Sequence, residues 1–189
     1  MIGSINKAIE LINKGLSESQ KKPFVVAIDG RCASGKTTFA ASLGATVIHT
    51  DDFFRPRNKD GKLSMSEYSG NFDMERFKKE VVSNLRSNRS FEYGIFDCKT
   101  QKIEKYVKIE NPGFIVIEGT YSAHDDLGDY SDLIIFFDVS AEEQKRRIIA
   151  RNGEENAKNF ENIWIPAEER YFERYQIIKK SNLTVNTEV

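Results

Sequence analysis

Gly30-Arg31-Cys32-Ala33-Ser34-Gly35-Lys36-Thr37 fits the spacing G-x-x-x-x-G-K-[ST] at every fixed position. Each residue type answers one chemical need. Glycine at 30 and 35 lets the main chain turn without a Cβ in the way, so that Ala33, Ser34, Gly35, Lys36, Thr37 and Thr38 can aim amides at phosphate oxygens. A helix opening at Lys36 would add the positive end of its dipole. The Lys36 ammonium would reach the β and γ phosphates of a nucleotide, and the Thr37 hydroxyl would ligate Mg²⁺. The competing reading is a glycine turn capping a helix with an exposed lysine. An apolar run before the motif and a helical pattern after it favour the cradle. A guanine switch should carry N-K-x-D, and the nearest string, Asn58-Lys59-Asp60-Gly61, ends in glycine.

Charged residues flank the motif. An apolar stretch ends in Asp51 and Asp52, and on an extended chain only one of two neighbours faces the phosphates. That carboxylate could take the proton of an attacking hydroxyl or hold Mg²⁺ through water, whereas the bland alternative is a cap on the following turn. Phe114 to Glu118 is an apolar run closing on a carboxylate, the expected place for a Mg²⁺ partner or water orienter. Arg147 and Arg151 lie four apart and share a helix face, which could present two guanidinium groups to phosphates or simply be a solvated basic face with Arg146. His49, His124 and Cys32 have no metal or nucleophile partner nearby in sequence and read as structural, exposed or unspecified.

These side chains need elements to hold them. Short apolar runs at 23–29, 46–50, 113–118 and 132–138, with a weaker one near Leu183, alternate with helical patterns at 36–43, 74–85, 141–151 and 167–179. Runs apolar on both faces and separated by helices predict a three-layer α/β/α arrangement around a five-stranded parallel sheet. Ile2, Ile5, Ile9, Ile12 and Leu16 mark an amphipathic first helix expected to pack on the core. Residues 91–109 read as an inserted β-hairpin. Residues 152–166, rich in Glu, Asn and Lys, read as an irregular, mobile flap.

At 189 residues the chain is expected to form one domain, 1–189, with a hairpin insert at about 91–109 and a lid at about 147–166. The 28 Lys and Arg against 29 Asp and Glu give a net charge of -1, which predicts no nucleic-acid partner and no anionic membrane surface. Apolar runs of about five residues fall far short of the roughly 20 that span a bilayer. Two cysteines and two histidines make neither a disulfide framework nor a zinc spacing, so a reducing cytoplasm is expected. The expected state is a monomer or homodimer.

Taken together, IDGRCASGKTT, TDDFFRP, GNFDMERF, FIVIEGTYS, RIIARNG and IPAEERYFERY resemble the uridine kinase and phosphoribulokinase branch of P-loop kinases, in particular its small bacterial uridine kinase-like members. The likeness runs over nearly the whole chain. It implies a P-loop NTPase fold and transfer of the ATP γ-phosphoryl group, with Mg²⁺, to a small-molecule hydroxyl, foremost a nucleoside 5′-OH. It implies Asp51 as general base, Thr37, Asp51 and Glu118 around the metal, and Lys36, Arg147 and Arg151 at the phosphates. Asp73 would hold ribose hydroxyls, with Arg55, Phe96 and Glu118 also near the acceptor. The chain departs from that pattern at Phe54 for a tyrosine, Phe96-Asp97 for Tyr-Asp, Gln101 near the place of a base-reading histidine, and Asn152 for an aspartate. Lost hydrogen-bond groups weaken base discrimination most. Two alternatives therefore stand beside nucleoside phosphorylation: a kinase for pantothenate, a ribosyl cofactor precursor or a sugar, and a non-catalytic nucleotide-binding protein.

Overall fold

In the structure, a computed structural model describing residues 2–87, 89–110 and 112–188, the site is built on one parallel sheet. The first half of the chain forms β1 (Ile2–Gly3), α1 (Ile5–Glu18), β2 (Phe24–Gly30), α2 (Lys36–Ser42), β3 (Thr46–His49) and α3 (Met74–Phe77). The hairpin β4 (Phe91–Asp97) and β5 (Lys102–Ile109) follows, then β6 (Phe114–Glu118) and β7 (Leu133–Asp138). The chain ends in α4 (Ala141–Asn152), α5 (Glu154–Asn159), α6 (Ile165–Arg174), α7 (Ile177–Lys180) and β8 (Leu183–Asn186).

The sheet order is β1-β8-β7-β2-β6-β3, and each neighbouring pair is parallel. All five strands that the apolar runs predicted are present. The two-residue β1, pairing Ile2 with Thr184, makes a sixth that is too short to leave a pattern in the sequence. A parallel sheet needs both faces covered. On one face Ala8, Ile12, Phe39 and Ala40 of α1 and α2 meet Val26, Ile28, Val116 and Ile135. On the other, Phe77, Tyr93, Tyr171 and Phe172 of α3, the hairpin and α6 meet Val25, Ala27, Ile115 and Phe136. The result is the three-layer α/β/α fold of P-loop kinases. Central β2, buried at every position, lies between β6 and β7, so Gly30, His49 and Glu118 all fall at the carboxyl edge where open α/β sheets bind ligands.

Four elements differ from expectation. The first helix begins at Ile5, because the Ser4 hydroxyl caps it by accepting from the Lys7 amide at 3.3 Å, and Ile2 is drawn into β1 instead. Ala8 and Ile12 pack on the core as expected, but Ile5 and Ile9 stay exposed. The helix at 74–85 is α-helical only to Phe77 and then widens into a π turn over Lys78–Val82. That at 167–179 breaks at Gln176, whose φ is +50°. The segment 152–166 is helical, not irregular: α5 runs through a π turn, Phe160–Trp164, into α6. Its polar composition hides the spacing of Ala157, Phe160 and Trp164, which turn inward on one helix face.

Candidate active site

The cradle begins where β2 ends. Gly30 has a φ of +136°, and a Cβ there would lie 2.1 Å from the Phe137 carbonyl oxygen, so no other residue fits. Ala33 and Gly35 also take left-handed φ values, +58° and +92°, as the chain curls into α2. The floor is braced by Asp29, which accepts from the Gly30 amide (2.6 Å), the Ala123 amide (2.8 Å) and the Tyr171 hydroxyl (2.6 Å). Burial raises its pKa against those bonds. Lys36 is buried, not the exposed lysine of a plain helix cap. Its Nζ donates to the carbonyls of Gly30 (2.8 Å) and Arg31 (2.6 Å).

Asp51 and Asp52 sit on a one-turn 3-10 helix, Thr50–Phe53, rather than on extended chain, yet they still diverge. Asp52 is bonded to the Tyr93 hydroxyl of the hairpin. Asp51 opens onto the cleft that also contains Lys36, Thr37 and Glu118. It reaches the cleft solvent while protein closes around its other sides; that enclosure and then the Glu118 charge raise its carboxyl pKa, against the pull of Lys36 and His49. Glu118 is buried at the end of β6, and its Oε1 accepts the Thr37 hydroxyl at 3.1 Å and faces His49 Nδ1 at 2.6 Å. The bond to Glu118 raises the His49 pKa.

His49 is half-exposed and does not line the cleft, in keeping with a structural reading, but it reaches the site through its bond to Glu118. The missed signal was strand register, since His49 pairs directly with Glu118 once β3 lies beside β6. Glu168 was missed too. It is buried in the same cleft from the first turn of α6, and no motif announces it.

The expected metal donors suit a hard cation. The Thr37 hydroxyl, the Glu118 carboxylate and the Asp51 carboxylate border one cleft and offer only oxygen. Among the described residues no group of three or more His, Cys, Asp or Glu forms a metal cage. Mg²⁺ needs none where one or two protein oxygens and nucleotide phosphates share it.

Both lid arginines border the pocket formed by Ala33, Ser34, Gly35, Lys36, Thr37 and Thr38. They differ in freedom. Arg147 is spent on support: it bonds Glu143 Oε1 (2.7 Å), Ala33 O (3.3 Å) and Thr187 O (2.6 Å). Arg151 is exposed, bonded to Asn152 Oδ1 at 2.8 Å and poised over the Phe160 ring at 5.7 Å.

The main cleft, about 270 Å³, has a polar end at Lys36, Thr37, Asp51 and Glu118 and an aromatic end at Phe54, Tyr121, Phe160 and Trp164. Phe54 and Trp164 stack, with centroids 6.2 Å apart and planes 16° from parallel. Three expected acceptor contacts do not line it. Asp73 caps α3, accepting the Arg76 amide at 3.1 Å; Phe96 is buried in the hairpin; and the Arg55 amide donates to Asn71 O at 2.9 Å. Gln101 is also engaged within the chain, accepting from the Arg57 amide (2.8 Å) and donating to Cys98 O (2.6 Å).

A glycine-rich cradle, a buried lysine and a carboxylate-lined cleft at the carboxyl edge of this sheet are the features of the P-loop kinase fold. Comparison with known proteins narrows the class. No family model matches the chain. The uridine kinase of Ureaplasma parvum serovar 3 is 27% identical over 183 residues, covering 88% of this chain and 88% of its own. Uridine-cytidine kinase B of Dictyostelium discoideum is 27% identical over 165 residues, 80% of this chain and 67% of its own. Among solved structures, one described as a possible uridine kinase from Bacillus stearothermophilus matches with a TM-score of 0.71 at 19% identity, over 96% of this chain and 98% of that one. Another, described as a candidate fructose transport system kinase from Silicibacter sp., matches with a TM-score of 0.74 at 20% identity over the same shares. The two structures bear on the fold alone. The resemblance to the uridine kinase branch of P-loop kinases is borne out along most of the chain. Among the described residues no helix is long and apolar enough to cross a membrane.

Proposed function

We propose that this chain transfers the γ-phosphoryl group of ATP to a hydroxyl of a small metabolite, with a nucleoside 5′-OH as the acceptor. One observation carries the reading: the Asp51 carboxylate shares a cleft with a buried P-loop lysine and an aromatic wall. The acceptor oxygen attacks the γ phosphorus and gives its proton to an Asp51 oxygen, while the bond from phosphorus to the bridging oxygen of ADP breaks. Lys36 turns toward the β and γ phosphates and offsets their growing charge, and Arg151 reaches them from the last turn of α4. Mg²⁺, held by the Thr37 hydroxyl and through Glu118 or Asp51, would neutralise phosphate charge when bound. The helices carrying Phe160 and Trp164 shield the reacting groups from water, whose attack on ATP competes with transfer.

The acceptor is read here by ring face rather than by ring edge. The hairpin groups that would hydrogen-bond a pyrimidine are engaged within the chain, whereas Phe54 and Trp164 offer a flat wall beside Asp51. That same engagement keeps a non-nucleoside acceptor as the second reading.

Calorimetry of MgATP binding with and without Lys36→Ala tests the donor half. Magnesium-dependent heat should be present in the natural protein and lost in the variant. The acceptor half has a built-in reporter, because Trp164 is the one tryptophan of the chain. Uridine or cytidine should quench its fluorescence and be phosphorylated. Turnover of pantothenate or a sugar with no turnover of either nucleoside overturns the acceptor assignment.

A further inference from the structure

The chemistry above leaves Glu168 without a task, although its carboxylate is 5% exposed and lines the reaction cleft. Its Oε1 and Oε2 lie 3.2 and 3.1 Å from the Cys32 amide, and Oε1 lies 3.3 Å from the Thr120 hydroxyl, whose single proton is shared with the Gly30 carbonyl at 3.0 Å. The Cys32 amide belongs to the same peptide group as the Arg31 carbonyl, which accepts from Lys36 Nζ at 2.6 Å. One peptide plane of the cradle is thus held at its oxygen by the Lys36 ammonium and, at 3.2 Å, the Ser34 amide, and at its N–H by a carboxylate. The neighbouring Glu169 pairs with the side chain of Arg31, which also bonds Asp138 at 2.7 Å. Both glutamates belong to α6, which continues from the covering helices that carry Phe160 and Trp164.

This arrangement matters when a triphosphate arrives. To meet it, Lys36 must turn donors away from the Gly30 and Arg31 carbonyls. When Lys36 leaves, the Arg31 carbonyl keeps only the longer bond from the Ser34 amide at 3.2 Å, so its peptide group is freer to rotate, and in a cradle built from amide directions such rotation misaims phosphate donors. An anchored N–H prevents it. A carboxylate is costly to bury, and burial pushes the Glu168 pKa up to about 7. The amide and hydroxyl donors directed at it offset part of that cost, so the position is suited to holding geometry.

We propose that Glu168 is a positioning residue for phosphoryl transfer: it holds the N–H end of the Arg31–Cys32 peptide while Lys36 releases the carbonyl end, and so keeps the cradle in shape and in register with the covering helix. The proposal rests on the reading of the cleft as a MgATP site.

Two substitutions separate reach from charge. Glu168→Gln keeps the length and an acceptor oxygen but loses the charge, and Glu168→Asp keeps the charge but falls one methylene short. The KM for ATP is expected to rise about tenfold or more in E168D and to stay within about threefold in E168Q, with the acceptor KM moving less than about twofold in both. The reverse order would make charge the operative property and overturn the proposal. Equal rises in both KM values would indicate general loosening and overturn it as well. Hydrogen exchange at the Cys32 amide of the unsubstituted protein gives a readout that depends on no variant. Protection that persists when MgATP is added supports the anchor, and protection that disappears refutes it. An unchanged E168D with phosphoryl transfer intact sinks this proposal alone, whereas failure of the natural protein to bind MgATP removes the nucleotide-site reading and this proposal with it.

Discussion

The guanidinium of Arg76 and the main chain of Asp52 are directly joined, Nη2 donating to the Asp52 carbonyl at 2.5 Å. The same group donates to the Gly94 carbonyl of the hairpin at 2.8 Å and lies 4.3 Å over the Phe53 ring. The turn that aims Asp51 is thereby pinned to the hairpin. Arg76→Met should lower kcat about tenfold to a hundredfold with little change in the KM for ATP, because the cradle is untouched. A rise confined to the ATP KM in steady-state kinetics would contradict this role.

Asp51 and Asp52 are expected to separate cleanly. Asp51→Asn should leave MgATP binding nearly intact by calorimetry and reduce transfer by about a hundredfold or more, since the proton acceptor is lost. Asp52→Asn, which can still accept from Tyr93, should cost less than about tenfold. If the larger loss fell on Asp52→Asn, the role of base would pass to that residue.

Beneath the cradle, Tyr171→Phe removes one of three donors to the buried Asp29 carboxylate. A buried acceptor left short of a partner costs about 1–3 kcal/mol. For a domain of this length that corresponds to a fall in Tm of roughly 3–8 °C. Calorimetric melting of the two proteins side by side would detect it, and an unchanged Tm would mean that Asp29 is satisfied without the tyrosine.

His124 supplies a pH signature. Its Nδ1 accepts the Asp126 amide at 3.1 Å, and its ring packs against Tyr171 and Tyr175, so the folded chain holds it neutral and burial lowers its pKa to about 4. Between its ordinary value of 6.5 and about 4 the unfolded chain binds the proton more readily. This contribution is therefore present above pH 6.5 and is lost as pH falls toward 4, by on the order of 3 kcal/mol. Glu168, raised to about 7 from 4.5, slopes the other way, favouring the fold below pH 4.5 and losing that contribution as pH rises toward 7. The informative quantity is the difference between the natural protein and His124→Phe in denaturant melts at pH 7 and pH 5. It should shrink as the pH drops, and a constant difference would show that His124 charges freely in the folded state.

Much of this molecule was legible in the sequence because its signals are local. Apolar runs at 23–29, 113–118 and 132–138 read as strands covered on both faces and fold as β2, β6 and β7, and a glycine at 30 followed by Gly35-Lys36-Thr37 reads as a tight turn opening a helix, which is α2. Those signals determined the layer order, the cradle and the carboxylates at strand ends, because burial and main-chain sterics act within a few residues. Strand neighbours, by contrast, are decided by packing between residues far apart in the chain. Only the assembled sheet brought His49 onto Glu118, only the docking of α6 put Glu168 on the Cys32 amide, and only the folded hairpin engaged Gln101 with Arg57. The helix at 154–164 was hidden for a related reason: only Ala157 is buried and Phe160 and Trp164 border the cleft, too few apolar positions to stand out against the charged residues around them.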